Sequence, residues 1–369
     1  MLKFKEFSAL LEDLSGSVDR LNKEIAKLDQ NALDDKVKNR IASKLDDTSE
    51  YVDKISYITK LHEIFVESKG FSEDDFEYLK NIIQKDSEES LTKLSEYLTN
   101  PKDITYFEAF KERVNIPKML SKEIGVSEST LHSIFGMEGK MKGGKGVGRG
   151  ELFLGLMIKD AKNSAKGDVN INGTMYEVKA KDARLNTTNG FGQGRTSVIS
   201  FLRSLDEISP KLKIYTKSKP NDWNFTYSKK KSMLNDLYHD AAKIGKLDEV
   251  ISATISNIFV TENGIWPNAS LNDQVGKLVI AAFNNHVDKR TGSIDMDSLN
   301  YALLHANAIY YQSLEKFRAF FLIDPRSGNF AVFNPQIQDE KWLKANVSYS
   351  VPSFGDAPTG MCYKIALSK

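Results

Sequence analysis

Gly167-Asp168-Val169-Asn170-Ile171-Asn172-Gly173-Thr174-Met175-Tyr176-Glu177-Val178-Lys179-Ala180-Lys181 is the stretch from which the rest of the chain is best read. Asn172-Gly173 is the favoured pair for a two-residue type I′ turn, because both central positions need positive φ. That turn fixes the register of the strands beside it. Ile171 faces Thr174, Asn170 faces Met175, Val169 faces Tyr176 and Asp168 faces Glu177. Side chains alternate between the two faces of a sheet. Val169, Ile171, Tyr176, Val178 and Ala180 make one apolar face, which predicts a core contact. Asp168, Glu177, Lys179 and Lys181 make the other.

Two carboxylates directly opposed across a strand pair have Cβ atoms about 4.5–5.5 Å apart, and like charges there are destabilising. A divalent cation offsets the repulsion. Mg²⁺ prefers oxygen donors and uses one or two carboxylates together with waters and substrate phosphate; Mn²⁺ accepts the same donors. Lys179 lies two residues from Glu177 on the same face. It is placed to orient a water or to stabilise charge developing on a phosphate. The competing reading is a half-exposed hairpin with a merely polar outer face. The opposed acids, the adjacent lysine and the basic surroundings favour the metal site.

Upstream, residues 139–150 hold six glycines and four cations without an acid. Glycine permits close backbone approach to a ligand, and Lys145 and Arg149 suit phosphate. Gly139-x-x-x-x-Gly144-Lys145 superficially matches a P-loop, but Gly146 stands where Ser or Thr would bind magnesium, and no strand precedes it; a nucleotide-triphosphate site is rejected. A solvated linker is the plain alternative. A helix follows from Glu151 through Leu152, Leu154, Leu156, Met157 and Ile158, apolar enough to predict burial. Glu151 in its first turn also suits the helix dipole.

Glu151, then Asp168, then Glu177-x-Lys179 resembles the pattern of the PD-(D/E)XK nuclease superfamily, the restriction-endonuclease-like fold. The resemblance covers about residues 145–210, with Gly167 in place of the motif's proline. It implies a mixed sheet flanked by helices and Mg²⁺-dependent cleavage of DNA. Carried over by position, it makes Asp168 and Glu177 metal ligands, Lys179 the group that positions or activates the attacking water, and Glu151 an additional ligand, direct or through water. The glycine-basic run is also similar to phage proteins carrying the same core.

Charge patterning agrees with a polyanion partner. The chain of 369 residues has 51 basic and 50 acidic residues, a net +1. Residues 1–100 carry 15 basic and 22 acidic residues, whereas residues 139–235 carry 19 and 8. A basic block inside a near-neutral chain points to nucleic acid. Within it, Lys181 and Arg184 follow the hairpin, and Gln193 and Arg195 lead into a helix through Val198, Ile199, Phe201, Leu202 and Leu205, with Thr196 or Ser197 as cap. Gln193 and Arg195 could meet phosphates there; an ordinary connection fits equally well. Residues 211–231 hold seven lysines, Lys229, Lys230 and Lys231 among them, interleaved with Tyr215, Trp223, Phe225 and Tyr227. Lysines suit phosphates and rings suit bases; the alternative is a loop whose rings enter the core.

Several classes are excluded. One cysteine, Cys362, permits no internal disulfide and no Cys-based zinc cage. No stretch approaches about 18 consecutive apolar residues, which predicts no membrane span. The start, Met1-Leu2-Lys3-Phe4-Lys5-Glu6, lacks a signal-peptide apolar segment. A cytoplasmic setting is expected, that of the host for a phage-encoded chain. The five histidines show no paired metal spacing.

The expected organisation is a helical region over 1–112, a helix-turn-helix-like segment over 113–138 and an α/β nuclease-like domain over 139–369 with a helical insertion near 232–315. Leu10, Leu11, Leu14, Val18, Leu21, Ile25 and Leu28 mark the first helical face. Ser72, three residues before Asp75, suggests a cap. Gly125 falls at the turn between helices packed by Leu131 and Ile134; an ordinary helix pair explains the same pattern. Strands are expected over 317–323, 330–333, 347–351 and 361–367, either extending the nuclease sheet or forming a separate unit. The resulting expectation is a metal-dependent DNA endonuclease, with a homodimer suited to cutting both strands. The alternative is a non-catalytic DNA-binding or virion structural protein that keeps a nuclease-like core.

Overall fold

Asn172 and Gly173 take φ of 51° and 83°, and the hairpin they close has the register set by a type I′ turn: Ile171 opposite Thr174, Asn170 opposite Met175, Val169 opposite Tyr176. The computed structural model describes residues 56–141, 146–163, 168–180, 183–185, 195–218, 233–259, 269–350 and 363–368. The apolar face over Leu10–Leu28, the rings of Trp223, Phe225 and Tyr227, and Cys362 lie outside the described residues.

The chain forms two compact units, neither of them continuous in sequence. The first takes the described residues up to Phe107, together with Asn115–Asn163 and Pro325–Gly328. Its longer helices include α1 (Glu73–Ile83), α2 (Glu88–Thr99), α3 (Ile116–Ile124), α4 (Glu128–Phe135) and α5 (Glu151–Met157). Ser72 caps α1 as its spacing predicts: its hydroxyl accepts from Asp75 N–H at 3.2 Å. Asn115 and Ser127 cap α3 and α4 in the same way. Gly125 ends α3 at φ +75°, a left-handed conformation that glycine adopts without steric cost. Ile116, Leu120, Val126, Leu131, Ile134 and Phe135 bury the facing sides of this helix pair.

In the glycine-basic run two short strands pair antiparallel, with Gly139 opposite Val147 and Lys140 opposite Gly146. Gly139 packs closely on the first turn of the next helix, since a Cβ there would fall 2.7 Å from Leu152 Cδ1 and displace it. The run then turns through Gly150, at φ +77°, into α5, whose Leu152, Phe153, Leu154, Leu156 and Met157 are buried.

The second unit is α/β. Strands β1 (Val169–Ile171) and β2 (Thr174–Lys179) form the hairpin. The short β3 (Ala183–Arg184) follows, then α6 (Arg195–Ile208), α7 (Met233–Lys243), α8 (Leu247–Thr254), α9 (Ala269–His286) and α10 (Met296–Glu315). After them come β4 (Phe320–Asp324), β5 (Asn329–Phe333), α11 (Glu340–Asn346), β6 (Val347–Ser350) and β7 (Lys364–Leu367). α6 already includes Thr196 and Ser197, so the helix starts earlier than a cap at either residue would place it.

The late strands divide between two sheets. β4 lies parallel to β2, with Glu177 beside Phe320, Val178 beside Phe321 and Lys179 beside Leu322, and β5 returns antiparallel to β4. This makes a mixed sheet flanked by helices. β6 and β7 pair with β3 in a separate three-stranded sheet. The main core gathers Val198, Phe201 and Leu205 of α6, Leu237 and Tyr238 of α7, Phe283 of α9 and Leu303 of α10 against Phe320, Leu322 and Phe333 of the sheet.

That core lies on the face of Phe320 and Leu322, which is also the face of Glu177 and Lys179. The polar face of the hairpin is therefore covered rather than open, and Glu177 is 6% exposed. The opposite face is buried as well, with Tyr176 stacked on Phe321 at 4.8 Å between ring centres. A strand paired in parallel inside an α/β unit is normally buried on both sides. The helix that covers the polar side begins more than 110 residues after the hairpin, so hairpin alternation alone reads that side as open.

Candidate active site

Glu177 and Lys179 stand at the C-terminal end of β2, and the ladders on its two sides place them. Toward β4, Arg318 N–H donates to Met175 C=O at 2.8 Å, and Glu177 N–H donates to Ala319 C=O at 3.1 Å. Toward β1 the backbone partners stop at Val169. Val178 N–H points to that side and donates to Asp168 Oδ2 at 2.6 Å. The carboxylate thus continues the ladder where the strand has ended, satisfying a backbone donor that burial would otherwise leave at a cost. Asp168 is fixed beside the Glu177–Lys179 pair by this bond.

Lys179 Nζ donates to Glu177 Oε1 at 2.6 Å, and the two side chains are 13% and 8% exposed. Tyr311, one turn from the end of α10, completes the group. Its hydroxyl donates to the same Oε1 at 2.7 Å and accepts from Lys179 Nζ at 3.2 Å. The ammonium lies 5.0 Å from the centre of the phenol ring, within cation–π range. Burial, followed by the negative charge of Glu177 and its hydrogen bond, raises the Tyr311 hydroxyl far above the ordinary tyrosine range. Tyr311 is therefore a neutral donor at working pH.

Sequence reading takes Tyr311 as one of several apolar positions on a buried helix. What distinguishes it is the left-handed Lys316 that ends α10 at φ +59° and turns the chain into β4. That turn sets Tyr311 over Phe320, with ring centres 6.1 Å apart, and Phe320 is the register partner of Glu177. No local pattern announces this contact.

The donor chemistry of the hairpin fits a hard divalent cation. Asp168, just before β1, and Glu177, on β2, offer carboxylate oxygens, and among the described residues no hydrogen bond reaches Glu177 Oε2. One or two carboxylates with waters and phosphate suffice for Mg²⁺. Among the described residues no group of three or more His, Cys, Asp or Glu side chains stands together as a metal cage. Glu151 is half-buried in the first turn of α5, in the first unit, and lies so close to Gly148 that a Cβ there would fall 2.5 Å from its Oε1.

The residues expected to meet DNA are unevenly described. Arg149 is exposed and paired with Glu138 at 2.5 Å. Arg184 is exposed on β3, and Arg195 opens α6. Lys145, Lys181, Gln193, Lys229, Lys230 and Lys231 lie outside the described residues. Tyr215 is a core residue, its hydroxyl donating to Asp240 Oδ2 at 2.8 Å. Of the histidines, His62 meets Glu73 and His305 meets the carbonyl of Pro335, each at 2.8 Å. No helix among the described residues is long and apolar enough to cross a membrane. Comparison with models of known families, with curated proteins and with solved structures finds no match for this chain.

Proposed function

We propose that this chain is a metal-dependent nuclease of the PD-(D/E)XK type that hydrolyses DNA phosphodiester bonds. The observation that carries the reading is the buried Glu177–Lys179 pair at the end of a parallel-paired strand, with Asp168 locked beside it by Val178 N–H. A buried charge pair costs several kcal/mol of desolvation per ion, and a hydrophobic pair of similar volume would often serve stability better. A function explains its presence more directly than stability does. The chain order of helix α5, the hairpin, a helix and then a strand parallel to β2 supports the same reading.

Asp168 and Glu177 would hold the metal. A bound divalent ion lowers the pKa of water and polarises phosphate oxygens. Lys179 places its ammonium where negative charge would build on the phosphate, and its three N–H donors can orient a water as well. Glu177 keeps that ammonium in place at 2.6 Å. The closed core behind the pair restricts water on that side, which strengthens each of these interactions.

Cleavage of supercoiled plasmid with Mg²⁺ or Mn²⁺, against an EDTA control, tests the proposal. Wild type is expected to nick or linearise the plasmid. Lys179→Ala and Asp168→Asn are each expected to lose about 100-fold or more, the scale of a lost acid–base or charge-stabilising group. A second reading, a non-catalytic DNA-binding or virion protein, draws on the internal partners that Glu177, Lys179 and Asp168 already have. It predicts salt-sensitive DNA binding with no cleavage of plasmid, linear or single-stranded DNA.

A further inference from the structure

Glu177 and Lys179 are two residues apart on one strand face. That spacing alone does not bring their charges together. The lysine stem has four rotatable bonds and about 2 kcal/mol of rotamer entropy, so something has to hold the ammonium. β2 supplies one partner, the Glu177 carboxylate, and α10 supplies a second, the Tyr311 hydroxyl, from 132 positions further along the chain.

We infer that Tyr311 is a positioning residue of the proposed phosphodiesterase site, with its hydroxyl fixing Glu177 and its ring carrying the Lys179 ammonium. The inference rests on the nuclease reading and names a residue that the resemblance does not supply. Three contacts converge on one side chain: 2.7 Å to Glu177 Oε1, 3.2 Å to Lys179 Nζ, and 5.0 Å from Nζ to the ring centre. Tyr311 is itself held between Phe317, at 5.6 Å between ring centres, and Phe320, at 6.1 Å. Phe320 is locked in register to Glu177. Tyr311 on α10 thus rests against a ring of β4 whose register partner on β2 is Glu177.

The hydroxyl and the ring do separable work. The hydroxyl donates to Oε1, the oxygen that Lys179 also uses, and among the described residues no hydrogen bond reaches Oε2. The ring, 5.0 Å from the ammonium at its centre, adds a cation–π attraction to the bond that the hydroxyl oxygen accepts. A side chain that merely filled space would do neither. Phenylalanine would replace it without effect, and Lys179 would be indifferent to the change.

The test uses the full chain with ¹³Cε-labelled lysine, in two readouts. In EDTA, the Lys179 ε-CH₂ resonance, assigned by its loss in Lys179→Arg, is expected to be displaced by the ring current of Tyr311. The displacement is expected to survive in Tyr311→Phe and to collapse toward the exposed-lysine position in Tyr311→Leu. In plasmid nicking, Tyr311→Phe is expected to lose about tenfold or more in kcat with KM nearly unchanged, the signature of misplacement rather than lost binding. Tyr311→Leu is expected to lose more. An undisplaced Lys179 resonance in wild type, or wild-type kcat in Tyr311→Phe, overturns the inference. Should wild type fail to nick DNA while Lys179 responds to Tyr311 as expected, the nuclease reading falls and the positioning contact stands. Tyr311→Phe keeps the ring and the core packing, so the test survives if Tyr311→Leu does not fold.

Discussion

Two Glu–Lys–Tyr groups, one in each unit, are built from the same parts and differ in burial. In the first unit Lys102 Nζ meets Glu123 Oε1 at 2.5 Å, and Tyr106 donates to Glu123 Oε2 at 2.6 Å. The lysine lies 5.4 Å from the Tyr106 ring centre. In the second, Lys179 and Tyr311 both reach Glu177 Oε1, and the corresponding ring distance is 5.0 Å. The Lys102 and Glu123 side chains are 42% and 35% exposed; those of Lys179 and Glu177 are 13% and 8% exposed. Water can replace any partner lost from the first group. It cannot readily do so in the second. Donors also divide between both oxygens of Glu123 but converge on one oxygen of Glu177. The two groups share their composition and differ in burial and in how their donors divide between the carboxylate oxygens.

The two groups are expected to differ most when each loses its lysine. Lys179→Met leaves a buried carboxylate without its cation and is expected to cost about 3–5 kcal/mol. Lys102→Met is expected to cost at most about 1 kcal/mol, since its partners are solvent-accessible. Urea unfolding of both variants measures the difference, and equal losses would erase the distinction. Removing both charges sharpens it. The combined Glu177→Leu and Lys179→Met variant is expected to regain most of the roughly 3–5 kcal/mol lost in Lys179→Met alone, because no uncompensated charge remains, while plasmid nicking stays abolished.

The smallest expected effect is the pH response of the exposed group. Hydrogen bonds from Lys102 and then Tyr106 hold the Glu123 carboxyl below its usual range. A carboxyl whose folded pKa is depressed adds stability above its unfolded pKa and loses it as pH falls through the folded value. Glu123→Gln should therefore cost a few tenths of a kcal/mol at pH 7, a surface-pair magnitude, and nothing at a pH below the depressed value. Thermal melts at pH 7 and in strong acid check this. Raising salt from 0.1 M to 1 M shortens the screening length from about 10 Å to about 3 Å. It should shrink the Glu123 effect and leave the Lys179 effect nearly unchanged.

The sequence by itself determined what depends on neighbours in the chain. Asn172-Gly173 set the hairpin and its register, because this pair accepts the two positive φ values of a type I′ turn, whose twist matches that of the strands. Ser72 determined the start of α1 and Gly125 the end of α3, through one side-chain acceptor and one missing Cβ. The same register put Asp168, Glu177 and Lys179 together at one end of the hairpin. Tertiary structure decided whatever required a distant partner. It made β4 the parallel neighbour of β2, sent β6 and β7 to a second sheet with β3, and covered the polar face of the hairpin with α10. It also turned Tyr311 from a core aromatic into a ligand of both charged groups. The physical reason is range. Turn and cap chemistry acts over a few residues and leaves a local pattern, whereas the contact of Tyr311 with Glu177 spans 134 residues and exists only after the core has formed.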